Sequence, residues 1–403
     1  MSVEDPGGAR WRHLGIGLIG LVVACAVQHG LPYLTLAWRA EGLSLVQIGL
    51  LVSAPIAGLV ITLIGWGALA DRYGERVVLT AGLAIGAVAL AGAAAASSTV
   101  ATGLWLLLAG CGTASVHAAS GRLVLGWFPE HRRGLAMGIR QTGQPLGVAV
   151  AALVLPRLAS DGTAPAFAAL AAGCAAAALV IGVLVRDPAR PERPAGAAPA
   201  ASPYGRGVLW RLHAAGSLLV VPQFAVAAFA FDYLVRGAGW TPGGAGLLLA
   251  GAQGLGAVAR LVAGAWSDRA GSRVGPLRLI AVAVTAVVAA LAVATVWSAL
   301  PTAGIALAVA AASVLTVSPN GVAYTSVAEQ AGSAWAGRAL GAHNTAQHVA
   351  AAATVPLAGL LVESGAGYGA AFAIGAVAAA AAVPTVPGRA VERAGRGAPV
   401  PAG

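Results

Sequence analysis

The sequence predicts an all-α membrane protein, with twelve transmembrane helices in two parallel six-helix repeats, and three observations lead there. Of the 403 residues 58% are hydrophobic and 9% charged, a balance foreign to water-soluble domains. The apolar residues gather into runs of about 20 or more, enough at 1.5 Å per residue to cross a bilayer. A charged loop, GWGALADRYGERVVL at residues 65–79, returns as GAWSDRAGSRVGPL at residues 264–277, each between apolar runs, which marks an internal repeat.

Each run has its own bounds. Span one, 13–37, follows Arg10 and Arg12 and lacks a small-residue cleavage site, so it is expected to stay as a helix and not to be removed as a signal peptide. Span two, 46–70, runs into Asp71 and Arg72, and span three, 77–97, lies between Arg76 and Ser98. Spans four, five and six are expected at 101–126, 134–157 and 164–185. Residues 186–207 are rich in Pro and Arg, which forbids a helix and keeps the segment in water. They read as a cytoplasmic linker between an N-terminal bundle, 1–185, and a C-terminal bundle, 208–386. Spans seven to twelve follow at 208–235, 242–267, 276–297, 301–326, 337–363 and 367–386, and residues 387–403, again Pro, Gly and Arg rich, read as a disordered cytoplasmic tail. GLAMGIRQTGQ at 134–144 aligns with GRALGAHNTAQ at 337–347, and Ser115-Val116-His117 with Ser318-Pro319-Asn320, so the halves repeat in sequence as well as in hydropathy. The tryptophans, among them Trp38, Trp127, Trp240 and Trp297, fall near span ends, as an interfacial belt requires.

With the termini inside, Arg39, Arg157 and Arg236 are the only arginines expected on the outer side. The positive-inside rule therefore places both termini in the cytoplasm of a multi-pass plasma-membrane protein. The net charge of +10 comes without lysine and without a basic patch interleaved with aromatics, so nucleic acid is not the expected partner. Cys25, Cys111 and Cys174 each stand alone in an apolar run, which excludes a disulfide framework and a CxxC metal site. Glycines in span one and before Arg260 are not followed by GK[ST], which disfavours ATP as a driving ligand. No Ser-His-Asp or His-His-carboxylate grouping can be assembled inside the spans, so no enzyme and no cofactor are expected.

Gly67, Leu69, Ala70, Asp71, Arg72, Gly74 and Arg76 match the loop signature Gly-x-Leu-Ala-Asp-Arg-x-Gly-x-Arg of the major facilitator superfamily, and the chain resembles that family of transporters. The second loop, with Gly264, Asp268, Arg269, Gly271 and Arg273, is a looser match, having Trp266 and Ser267 where the signature has Leu and Ala. The resemblance implies the fold of that superfamily, with the substrate site between the two halves near the midplane. It also implies a cytoplasmic latch at Gly67, Asp71, Arg72, Gly74, Arg76, Asp268, Arg269 and Arg273 that opens and closes during the cycle. A carboxylate at the C-terminal end of its own helix is unfavourably placed against the helix dipole, so Asp71 and Asp268 need other partners. Arg122 lies near enough to its span end either to snorkel or to pair with Asp71.

Arg140 and Arg260 lie within spans five and eight, where an ionisable group marks a functional site until another role is shown. No Asp or Glu lies in the middle of any span. A cationic cavity suits a carboxylate or phosphate, although Arg260 so close to the second loop is also placed to brace it. Gln144 is expected one turn above Arg140 on the same face, and Thr113 and His117 are stacked likewise in span four. Such polar residues serve either as interhelical glue or as ligand contacts. His117 with Asn320, Arg140 with His343 and Gln144 with Gln347 occupy matching repeat positions. The expected substrate site is thus Arg140, Gln144, His117, Arg260, Asn320, His343 and Gln347, with His343 coupling anion binding to protons. The drug–proton antiporter pattern Arg-x-x-Gln-Gly of span four has Leu108 in place of its Arg, and Gln144 interrupts the span-five Gly-Pro signature. The sequence therefore reads as a monomeric secondary transporter moving a small organic anion across the bilayer by alternating access. Efflux of hydrophobic drugs or metabolites is the alternative.

Overall fold

The structure, a computed structural model, describes residues 6–43, 45–160, 162–188, 201–296 and 301–389, and among these there is no strand. The predicted bounds of the linker and tail fall partly, and Trp297 wholly, outside them. Helix α1 (Pro6–His29) gives way at Gly30 to a 3-10 turn, Leu31–Leu34, and a short α2 (Thr35–Ala40). There follow α3 (Leu45–Tyr73), α4 (Glu75–Ala94), α5 (Thr99–Trp127), α6 (Glu130–Gln141), α7 (Gly143–Leu158) and α8 (Ala164–Leu184). After the linker come α9 (Val208–Asp232) with a π turn, Tyr233–Gly237, then α10 (Pro242–Arg269), α11 (Val274–Val296), α12 (Thr302–Val317) and α13 (Pro319–Ala331). The last are α14 (Ala336–Leu361), a π turn Val362–Ala366, and α15 (Gly367–Thr385).

Ten described segments are long and apolar enough to cross a membrane. One of them, Ala336–Thr385, is 50 residues long and contains both α14 and α15. Span five is missing from the ten because it is broken into α6 and α7. The twelve spans are therefore present, but three of them are interrupted, and each interruption lies beside a proline. Pro145 has no N–H to give to Gln141, and the helix breaks at Thr142. Pro319 has none to give to Leu315, whose carbonyl instead accepts from Ser318 N at 3.2 Å and Ser318 Oγ at 2.8 Å. Pro32 follows a residue it disfavours in helix, and the first span breaks at Gly30.

The chain forms two compact units. The first is residues 1–129, 140–201 and 331–344; the second is residues 130–139, 202–330 and 345–403. Each thus holds a short segment, the start of α14 or of α6, from the other half of the sequence. In the first unit Leu21, Leu79, Leu83, Leu90 and Phe167 form a continuous buried core. Trp38 belongs to that core as well: it is 1% exposed and packs on Phe167 with ring centroids 6.2 Å apart, so it is not part of an interfacial belt. In the second unit Leu277, Val288, Leu291 and Phe372 are fully buried. The helices approach closely through small residues: a Cβ on Gly58 would overlap Leu107 O, and one on Gly375 would stand 2.9 Å from Pro222 Cα.

Candidate functional site

In the first unit α3 and α14 cross backbone against backbone: a Cβ on Gly67 would run into Gly337 O, and one on Gly337 into Gly67 O. That contact sets Asp71, one turn further along α3, at the start of α14. Its carboxylate accepts from Gly337 N at 2.9 Å and Arg338 N at 3.2 Å, amides of a first turn that lack intrahelical acceptors. The negative end of its own helix is thereby offset by the positive end of another. Arg122 supplies the countercharge. Only 7% exposed, it bonds to Asp71 Oδ1, to Glu75 Oε1 at 2.5 Å and to Ser333 O at 2.8 Å.

The second unit repeats this arrangement. Gly264 of α10 and Gly134 of α6 would each clash with the other's carbonyl if either carried a Cβ. Asp268 accepts from Gly134 N at 2.8 Å and Leu135 N at 2.9 Å. Arg273 bonds to Asp268 at 2.5 Å, grips Glu329 through two nitrogens at 3.0 and 3.2 Å, and donates to Glu130 O at 2.6 Å. Burial works against the charge on Arg273, but the bonds to Glu329 and Asp268 outweigh it and hold its pKa above the ordinary arginine value. The roles are exchanged between the units: in the first the arginine comes from α5 and the second carboxylate from the first residue of α4, whereas in the second the arginine comes from the loop before α11 and the second carboxylate from α13.

The other expected latch arginines lie elsewhere. Arg72 sits over the Tyr73 ring, 5.2 Å from its centroid. Arg76 donates through Nε to Gly182 O at 2.6 Å and through its backbone N to Asp187 Oδ1 at 2.7 Å. Arg269 is exposed. Gly74, with φ of 101°, makes the turn and has Asp187 where a Cβ would stand.

Deeper in the first unit, Arg140 is 2% exposed. Its Nε donates to Ser120 Oγ at 2.8 Å, Nη1 to Gln141 Oε1 at 2.6 Å and Nη2 to His117 O at 3.0 Å. The carboxamide that reaches the guanidinium is that of Gln141, the last residue of α6. Gln144 is half-buried. Gln28 of α1 bridges two residues of α5, donating to Thr113 Oγ1 at 3.0 Å and lying 2.7 Å from His117 Nε2. Because Thr113 gives its own proton to Ala109 O at 2.9 Å, it must accept from the Gln28 amide nitrogen. Gln28 Oε1 then faces His117 Nε2, which carries a proton. His343 is fully buried on α14, beside Asn344, which bonds to Leu340 O at 3.0 Å.

The second unit places Asn320 3.1 Å from Gln223 Oε1, and Tyr324 OH 2.9 Å from Gln347 Oε1. Gln347 also donates to Gly216 O at 3.4 Å. Arg260, 4% exposed, donates to Val317 O at 3.2 Å, beside the break between α12 and α13. His117 and Asn320 are matching repeat positions, and each is bonded to a glutamine of its unit's first long helix, Gln28 or Gln223. Sequence reasoning did not find Gln223, Ser120, Gln141 or Glu75. The Gln28–His117 and Gln223–Asn320 pairs bridge 89 and 97 residues, and no short motif encodes such a pairing.

Two helical units, each with a buried polar centre and a carboxylate set on another helix's first amides, define a polytopic membrane transporter. The family model of the Major Facilitator Superfamily matches residues 16–355, and the chain belongs to that superfamily. It is 42% identical over 401 residues to the uncharacterized MFS-type transporter Rv2994 of Mycobacterium tuberculosis, covering 96% of this chain and 87% of the relative. A shorter match, 37% over 123 residues, covers 28% of this chain and 22% of the probable anion transporter 4, chloroplastic, of Arabidopsis thaliana. Among solved structures, the E. coli fucose:proton symporter FucP in its outward conformation superposes with a TM-score of 0.73 at 18% identity, covering 94% of this chain and 98% of FucP. At that identity the likeness concerns the fold alone.

Proposed function

We propose that this chain is a plasma-membrane secondary transporter that moves a small carboxylate-bearing organic anion by alternating access, as a monomer with both termini in the cytoplasm. The observation that carries this reading is Arg140, a guanidinium that stays charged at any working pH, buried in the first unit on a hydroxyl, a carboxamide and a backbone carbonyl. Placing such a charge within a span costs about 2.5 to 3.5 kcal/mol on insertion scales, and a planar fork of donors matches a carboxylate. The short match to an anion transporter agrees with this choice. Within the same unit, His117 and Gln28 fix the surroundings of Arg140. Asp71 and Asp268 act as latches, releasing and regaining the first amides of α14 and α6 in each cycle.

The test is uptake into proteoliposomes of a panel of radiolabelled small carboxylates, with unlabelled carboxylates and hydrophobic cations as competitors. Uptake of at least one anion, abolished by Arg140→Gln at equal protein content, is expected. Normal anion uptake by Arg140→Gln, or competition by hydrophobic cations alone, would sink the reading and favour drug efflux.

A further inference from the structure

We infer that the second unit carries a binding site for the phosphate of an anionic phospholipid, built from Arg211, Arg278 and Arg389 where α9 begins and α15 ends. The last carbonyls of a helix have no intrahelical donors, and two arginines take those of α15. Arg211, in the first turn of α9, donates to Pro384 O at 2.9 Å, Thr385 O at 3.1 Å and Val386 O at 3.4 Å. Arg278 of α11 donates to the same Val386 O at 2.7 Å and to Pro387 O at 3.1 Å. Two guanidinium groups therefore converge on one oxygen. The third arrives beside them: the Arg389 guanidinium fills the space that a Cβ on Gly275 would occupy, with atoms 2.6 to 3.0 Å from that point. Gly275 lies one turn from Arg278 on α11.

Capping the helix does not account for this much charge. The end of a helix offers about half a negative elementary charge, against three full positive ones. Among the described residues none of the three arginines is in an ion pair with a carboxylate. Arg278 Nε is buried without an acceptor, so one donor remains unused. A phosphate diester, with a negative charge and several acceptor oxygens, would meet both needs.

The lipid source follows from what surrounds the cluster. Trp210, adjacent to Arg211, is 62% exposed, with the Tyr204 ring 5.0 Å away, and aromatic rings so placed lie at headgroup level. Next along α11 from Arg278, Leu279 and Val282 are 57% and 48% exposed. Cations thus stand at the membrane face, with aromatic and then aliphatic surface leading away from them, which is the polarity profile of a lipid and not of free phosphate. Basic pockets between helices at this depth hold lipid headgroups.

The experiment is native mass spectrometry of the full chain from mixed micelles containing dioleoylphosphatidylglycerol or dioleoylphosphatidylcholine, with inorganic phosphate as competitor. Retention of phosphatidylglycerol over phosphatidylcholine is expected, unaffected by millimolar phosphate. Arg389→Gln, which removes no bond to α15, should lower that preference by roughly fivefold. Arg211→Lys, which keeps the charge, should preserve it. Equal retention of the two lipids, displacement by phosphate, an unchanged preference in Arg389→Gln, or its loss in Arg211→Lys would each overturn the proposal.

Discussion

Arg122 holds two carboxylates, Asp71 and Glu75, each no more than 3% exposed at its side chain. Removing one partner of a buried ion pair leaves the other charge desolvated, which destabilises by about 3–5 kcal/mol. Arg122→Gln is therefore expected to lower the melting temperature of the purified protein far more than Arg72→Gln, whose side chain lies over Tyr73; equal shifts would show that the ion pairs contribute little. Asp71→Asn keeps an oxygen for Gly337 N but loses the charge, so it should slow turnover while substrate affinity stays close to that of the parent. A matching loss of affinity in equilibrium binding would place Asp71 in the cargo site instead. Asp71 was legible in the sequence because its motif recurs and because a carboxylate at a helix end needs a partner. Glu75 was not, since nothing local shows that it turns toward α5. Gln223 was hidden for the same reason, whereas Arg140 stood out because charge inside an apolar run is costly wherever its neighbours lie.

The helices were legible from hydropathy, but their interruptions were not. Pro145 and Pro319 read as tolerated members of long apolar runs, because a run of hydropathy does not register a missing N–H. The carboxamide that reaches Arg140 is that of Gln141, on the same side of the break. Glycine placement is the other determinant at this scale. A Cβ at Gly67 or Gly264 would displace the facing backbone of α14 or α6, whereas one at Gly65 meets nothing within 4 Å. Gly67→Ala and Gly264→Ala should therefore lower thermal stability and the yield of monodisperse protein. Gly65→Ala on the same helix should be neutral or stabilising by up to about 1 kcal/mol, the helix-propensity difference. Similar melting temperatures for all three would mean that the close crossings of α3 on α14 and α10 on α6 contribute little to the stability of each unit.

For the whole molecule, arginine distribution and helix length together predict which segments share a side of the membrane. Asp187, at the start of the linker, accepts from Arg76 N at 2.7 Å, which ties the linker to the first turn of α4. Helix α4 is 20 residues long, or about 30 Å, the thickness of the hydrocarbon core. Exposed Ser97, beyond its other end, is then expected across the membrane from Asp187. The arginine count predicts a cytoplasmic side for the linker. Cys25 and Cys174 are buried and Cys111 is half-buried, so a cysteine-free background needs three substitutions, each to Ala. On that background a cysteine replacing Ser97 should react with an impermeant maleimide in intact cells. A cysteine replacing Ala197, in the part of the linker outside the described residues, should react only in inverted vesicles. Labelling of both from one side would contradict the assignment of α4 as a span, and an exchange of the two patterns would keep the helices but reverse the orientation read from the arginines.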